Sequence, residues 1–193
     1  TINRALRLHR EWVEYEECGD PEMPRGRKIV LTNEIIRKID FINNNLFAGA
    51  DLRNLDASNL DFSGKHFFGV NFSGTNFEGA NFENSNFEGL MAGYSKFNAT
   101  IFCYANFTNA NFSKSCFTCA SFVSAYFTNA VFRNTIFKDA NFNSADFKYS
   151  RFRDVEFSNA IFDGIQLKHA ITEGLLGLSL IHISEPTRRT PIS

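Results

Sequence analysis

Between Phe62 and Phe162 a large apolar residue returns at every fifth position, with small or polar residues between. Of the 21 positions on that register 20 are Phe, and Ala92 is the interruption. Two places before each Phe the chain is almost as regular. From Val70 to Ala160 there are 19 such positions, and 16 hold Ala, Ser or Thr. The unit is plainest in Ala80-Asn81-Phe82, Ala110-Asn111-Phe112 and Ala140-Asn141-Phe142. A fixed period of this kind governs the fold before any local propensity does.

Neither regular element accepts a period of five. On an α-helix five residues advance about 500°, so successive Phe rings would spiral around the cylinder and share no face. On a strand an odd period sends consecutive Phe to opposite faces. A solenoid accepts it, because each pentapeptide can form one short straight side and one corner. Phe (position i) and the small residue (i−2) then point inward, and positions i−1, i+1 and i+2 face water. The outward positions are rich in Asn, Ser, Gly, Asp and Lys, which suit corners. Coils stacked at about 4.8 Å would set Phe above Phe within offset-stacking range. The expected core ladder includes Phe62, Phe72, Phe82, Phe102, Phe112, Phe122, Phe132, Phe142, Phe152 and Phe162. On this register Phe112→Ala should be costly and Asn109→Ala nearly neutral.

The A-(N/D)-(L/F)-x-x pattern, carried by at least residues 50–171, resembles the pentapeptide repeat family. The resemblance implies an all-β fold, a right-handed quadrilateral parallel β-helix with four pentapeptides to a coil. It also implies a non-enzymatic scaffold. Some members of that family imitate duplex DNA and inhibit or protect type II topoisomerases such as gyrase, which gives a second functional reading.

The flanks differ from the repeat. Residues 1–28 are expected to be an N-terminal cap or linker: Leu6, Trp12 and Val13 fit a short amphipathic helix, followed by turns around Pro21 and Pro24. An open solenoid end needs such a plug; Trp12 either belongs to it or anchors a partner. The β-helix is expected over residues 29–178. Within 29–46, Ile35, Ile36, Ile39 and Ile42 fit a helical face, yet Leu31, Ile36, Phe41 and Leu46 keep the five-residue step and favour a degenerate first coil. The six-residue step from Leu46 to Leu52 reads as a bulge. Ala57 stands where a large residue is expected. Lys65 falls in a small inward slot, and the cost of burying an ammonium predicts its escape at a distorted corner. Phe68 sits outward beside His66. Leu175, Leu176, Leu178 and Leu180 would cover the last coil or form a homodimer seam. Residues 179–193 lose all repeat character and resemble a non-native tail.

Composition narrows the function classes. The chain has 193 residues, 44% hydrophobic and 21% charged, with a formal net charge of −1. That balance makes nucleic acid an unexpected partner. No 18-residue apolar run suggests a membrane span. No secretory leader is recognisable, and a chain opening on Thr1 leaves room for an upstream piece. Cytoplasmic localisation is expected.

Catalytic chemistry is not expected from this pattern, because a filled solenoid offers no cleft for convergent groups. His9, His66, His169 and His182 are scattered. Cys116 and Cys119 form a lone C-x-x-C without the second pair that zinc requires, and Cys103 adds a further outward thiol. Glu78, Glu83 and Glu88 follow one another at i+1, which would put them on three successive sides of one coil. No metal, cofactor or small-molecule substrate is expected. DNA mimicry would need an acidic column recurring every coil. The i−1 column of Asp51 instead continues through Asn71, Met91, Asn111, Val131 and Arg151. By elimination the walls remain, and Tyr94, Tyr104, Tyr126, Tyr149, Arg133 and Arg153 are the candidate contact surface for an unidentified protein.

Overall fold

Each repeat places its five backbone N–H groups in different ways, and that accounting explains the A-N-F consensus. Ala80 donates to Phe77 across the preceding corner, at 3.0 Å. Asn81 donates to Leu60 in the coil before, and Phe82 to Ile101 in the coil after, at 2.9 and 2.8 Å. Asn84 donates onward to Cys103 at 2.9 Å. The remaining group, the amide of Glu83, has no backbone acceptor and bonds the Asn81 side chain at 3.0 Å. Asn71, Asn76, Asn86, Asn106, Asn111 and Asn141 do the same for the amide two residues on. Asn thus precedes Phe because its short amide satisfies a donor that the ladder leaves over.

In the computed structural model, which describes residues 51–176 together with Arg4, Arg7, Leu8, Glu11 and Glu14, bridges link residues 20 apart, all parallel. Four repeats therefore close one coil. Wall 1 carries the Asp51, Asn71, Met91 and Asn111 rungs, and walls 2, 3 and 4 begin at Asp56, Asp61 and His66. On wall 1 the pairing lengthens into three short strands, β1 (Val131–Arg133), β2 (Arg151–Arg153) and β3 (Ile171–Glu173), in the order β1-β2-β3. A crossover returning to a parallel neighbour in the same sheet is right-handed in nearly all proteins. The architecture is the right-handed quadrilateral parallel β-helix.

The aromatic ladder fills the tube. On the five-residue register the rings from Phe62 to Phe147 are at most 1% exposed, Phe152 and Phe157 are 4% exposed, and Phe162 is partly buried at the end of the stack, whereas Phe68, off the register, is 55% exposed. On wall 3 the rings of Phe62, Phe82, Phe102, Phe122, Phe142 and Phe162 stack with centroids 4.8–5.4 Å apart and planes within 10°. Rings on adjacent walls meet edge to face, as Phe102 and Phe107 do at 5.2 Å and 73°. Both arrangements suit the aromatic quadrupole.

Small inward residues have a further role when they carry a hydroxyl. Thr75, Ser85, Ser95, Thr100 and Thr135 each donate to the carbonyl 23 residues earlier, at 2.7–2.9 Å. Ser115 bonds Ala92 in the same way. Among the described residues no buried side-chain nitrogen or oxygen lacks a partner.

The two alanines in large slots are compensated. Ala57 follows Leu55 and Ala92 follows Leu90, so large and small exchange places within one repeat while all four stay buried. Lys65 corrects the sequence expectation. It is 7% exposed, and its backbone makes the ordinary bonds, to Phe62 at 3.2 Å and from Asn86 at 3.0 Å. No corner is distorted to release it; backbone regularity wins over the expected escape. At the C-terminal end Leu175 packs partly against the core, and Leu176 bridges Glu156 on wall 2. These two leucines continue the coil rather than cover it.

Near the N-terminus, Arg4, Arg7, Leu8, Glu11 and Glu14 are helical, and Arg7 pairs with Glu11 at 3.8 Å one turn on. The expectations for Trp12, the 29–46 segment, the Leu46 step, Leu178, Leu180 and residues 179–193 lie outside the described residues.

Candidate functional site

Every corner residue from Asn54 to Gly174 has a positive φ, near 52–71°. Such turns favour Gly or Asn at that point. Many corners comply; others hold Tyr94, Ala99, Tyr104, Lys114, Cys119 and Tyr149, in a conformation that costs an L-residue about 1–2 kcal/mol. A bulky side chain held there is displayed outward on a fixed backbone.

The candidate contact residues do not form one patch. Tyr94, Tyr104, Tyr126 and Tyr149 are 67%, 53%, 51% and 50% exposed. Tyr94 occupies the corner between walls 1 and 2, Tyr104 the corner between walls 3 and 4, and Tyr126 lies on wall 4. Tyr149, at the corner from wall 4 to wall 1, stacks on His169 with centroids 5.0 Å apart. Arg133 and Arg153 come together, paired in register on β1 and β2. Arg153 approaches Asp154 and Glu173, each at 3.7 Å. Among the described residues Arg133 has no ion-pair partner.

Sequence reasoning missed the partner of Tyr94. Lys114 sits one coil below, its ammonium donating to the Tyr94 hydroxyl at 2.7 Å and lying 4.9 Å from the ring centroid. The signal was present as a spacing of 20, but only the coil length makes 94 and 114 neighbours.

The chemical candidates stay apart. Cys103 and Cys116 are half-buried and Cys119 is exposed, all three free; Cys103 contacts Ser121 and Cys116 contacts Thr118. Glu78, Glu83 and Glu88 fall on walls 2, 3 and 4. Among the described residues no three His, Cys, Asp or Glu side chains are grouped to hold a metal, and no helix is long and apolar enough to cross a membrane.

The geometry defines a class: a closed, aromatic-filled solenoid whose chemistry lies on its walls. Family models for pentapeptide repeats match residues 46–89, 66–102 and 94–129, and a second such model matches 127–171. The chain belongs to the pentapeptide repeat family. It is similar to the pentapeptide repeat protein Rfr23 from the cyanobacterium Cyanothece 51142, at 11% identity over 67% of this chain and 88% of that one, with a TM-score of 0.49. It is also similar to HetL, involved in heterocyst differentiation regulation in the cyanobacterium Nostoc sp. strain PCC 7120, at 14% identity over 80% and 100% of the two chains, TM-score 0.31. Full-length QnrB1, a plasmid-mediated fluoroquinolone resistance protein, is 17% identical over 68% and 88%, TM-score 0.37. A search of curated proteins finds no match.

Proposed function

We propose that this pentapeptide repeat scaffold is a non-enzymatic protein-interaction module that works through its lateral surface in the cytoplasm. The observation that carries the reading is the presence of exposed tyrosines, Tyr94, Tyr104 and Tyr149, at left-handed corners where Gly or Asn would be less strained. Tyr is a frequent interface anchor, and a stacked core presents it with little ordering left to occur on binding. Three free thiols agree with a reducing compartment.

Imitation of duplex DNA, the second reading that the family resemblance offers, would require a phosphate-like acidic column. The bridged columns are mixed instead: Asp51, Asn71, Met91, Asn111, Val131 and Arg151 on wall 1, and Asp56, Asn76, Lys96, Cys116, Ile136 and Glu156 on wall 2. The experiment for the contact reading places a photo-crosslinking residue in turn at Tyr94, Tyr104, Tyr126 and Tyr149 of the full chain, in cells of its source. A discrete protein adduct from at least one position is the expected result. Adducts from none, with the folded chain present, would remove the reading.

A further inference from the structure

From Gly89 to Lys138 the sequence contains no Asp or Glu. Wrapped at 20 residues to a coil, that stretch becomes a belt more than two coils deep with no acidic side chain on any wall. Acids crowd the coils before it, at Asp51, Asp56, Asp61, Glu78, Glu83 and Glu88, and return after it at Asp139. The belt's cations are not evenly spread. Of its four, Lys96, Lys114 and Arg133 are exposed and lie at or next to the corner between walls 1 and 2, one in each successive coil, while Lys138 lies at the far side of wall 2. Met91 and Tyr94, 49% and 67% exposed, stand among them. Among the described residues none of the three cations is ion-paired with a carboxylate, and Lys114 is held in place by Tyr94.

We propose that this edge docks a short acidic segment of a partner protein. The inference rests on the lateral-contact reading above and narrows it to one edge and one partner chemistry. Three cation rungs span roughly 10 Å at strand spacing, which an extended peptide of about four residues matches. Carboxylates on such a segment would face Lys96, Lys114 and Arg133, while an apolar residue beside them would cover Met91 and the Tyr94 ring. Charge decides against a long polyanion. A nucleic acid running along the rod would leave the belt and meet the acidic first coils, whereas a short acidic segment ends before them.

The corner column itself makes the edge more than a solvated face. Tyr94 and Lys114 are consecutive residues of one corner column, both at positive φ, of 59° and 61°. Elsewhere that column holds Asn54, Gly74, Asn134, Asp154 and Gly174, the residue types that left-handed corners favour. The bulky pair thus interrupts the column inside the acid-free belt and not outside it.

The test is a fluorescence-anisotropy titration of the full chain at low salt. The probe is a labelled octapeptide of Glu and Ser with one central Leu, compared with its Lys-for-Glu counterpart and an oligothymidine of equal charge. The acidic peptide should bind saturably. Lys114→Glu and Arg133→Glu should each weaken it at least tenfold. Lys168→Glu, the same charge change on wall 4, should alter it by less than about twofold. Absence of saturable binding, an equal loss from Lys168→Glu, or tighter binding of the oligothymidine would overturn the proposal. Adducts captured from Tyr104, Tyr126 or Tyr149 while the peptide fails would show the edge to be wrong and the lateral module intact. Failure of both would remove both.

Discussion

Leu90 and Ala92 fill the two inward slots of one repeat with their sizes reversed, and both are buried, at 1% and 0% exposure. The only missing ring between Phe62 and Phe162 is thus matched by extra volume two residues earlier. Ala92→Phe alone should overpack the coil and cost about 1–3 kcal/mol. Leu90→Ala alone should cost about 2–5 kcal/mol through the void it leaves. The double variant restores the consensus and should be more stable than either single one. Denaturant midpoints of the four proteins measure the coupling; simple additivity would show that the two side chains do not share space.

The aromatic stack sets the scale of stability. Phe112 is fully buried and stacks on Phe132 at 5.4 Å and 6°, so Phe112→Ala should cost about 3–5 kcal/mol. Asn109 is not a neutral comparison, contrary to the sequence reading. Its φ of 61° would strain alanine by about 1 kcal/mol or more. Thr128, outward on wall 4 at an unstrained position, serves better. Thermal unfolding should separate Phe112→Ala from Thr128→Ala by many degrees, and comparable midpoints would contradict the inward register.

Much of the fold was legible because burial obeys the five-residue period. A Phe at 62, 67 or 72 states its own orientation, and the partition into inward and outward positions follows. Coil length did not follow from spacing, since five divides coils of any number of sides; it came with the family resemblance. What sequence could not convey were relations across coils. Tyr94 meets Lys114 and Thr75 reaches the Leu52 carbonyl only because the chain returns after 20 residues. Lys65 differs from its expectation for another reason: the regular backbone bonds on both sides of it fix the inward direction of that slot, and the residue is buried there. The contact surface was the least legible part, because exposure marks availability and not use.

The buried hydroxyls offer a test of cross-coil bonding. Thr100 donates to the Phe77 carbonyl at 2.8 Å, and that carbonyl also accepts the Ala80 amide at 3.0 Å. Thr100→Val keeps the shape and removes the donor. Because the carbonyl retains its amide partner, the loss should be about 1 kcal/mol and not the larger penalty of an orphaned acceptor. Equilibrium denaturation would measure it, and an unchanged midpoint would mean that the hydroxyl contributes nothing net.

Corner strain predicts substitutions that stabilise. Ala99 has φ 53° and an exposed side chain, so Ala99→Gly should relieve strain and raise stability by up to about 1 kcal/mol after the added freedom of the unfolded chain. Ala120 is 1% exposed in an inward slot, and Ala120→Gly should lower stability by about 0.5–1 kcal/mol. Opposite signs in one chemical-denaturation series are the expected outcome. Two losses would refute the corner argument.

Tyr94 and Tyr104 share the same φ of 59°, but only Tyr94 has a lysine against it. Tyr104→Asn should therefore stabilise the chain by relieving an unfavourable corner. Tyr94→Asn gains the same relief and loses the contact with Lys114, worth about 0.5–1 kcal/mol at an exposed site. The gain at 94 should fall short of the gain at 104 by that amount. In a Lys114→Ala background the shortfall should vanish, because no cation remains to be lost. Thermal midpoints of the single and double variants check this, and a shortfall that persists without Lys114 would mean that the contact is not what separates the two tyrosines.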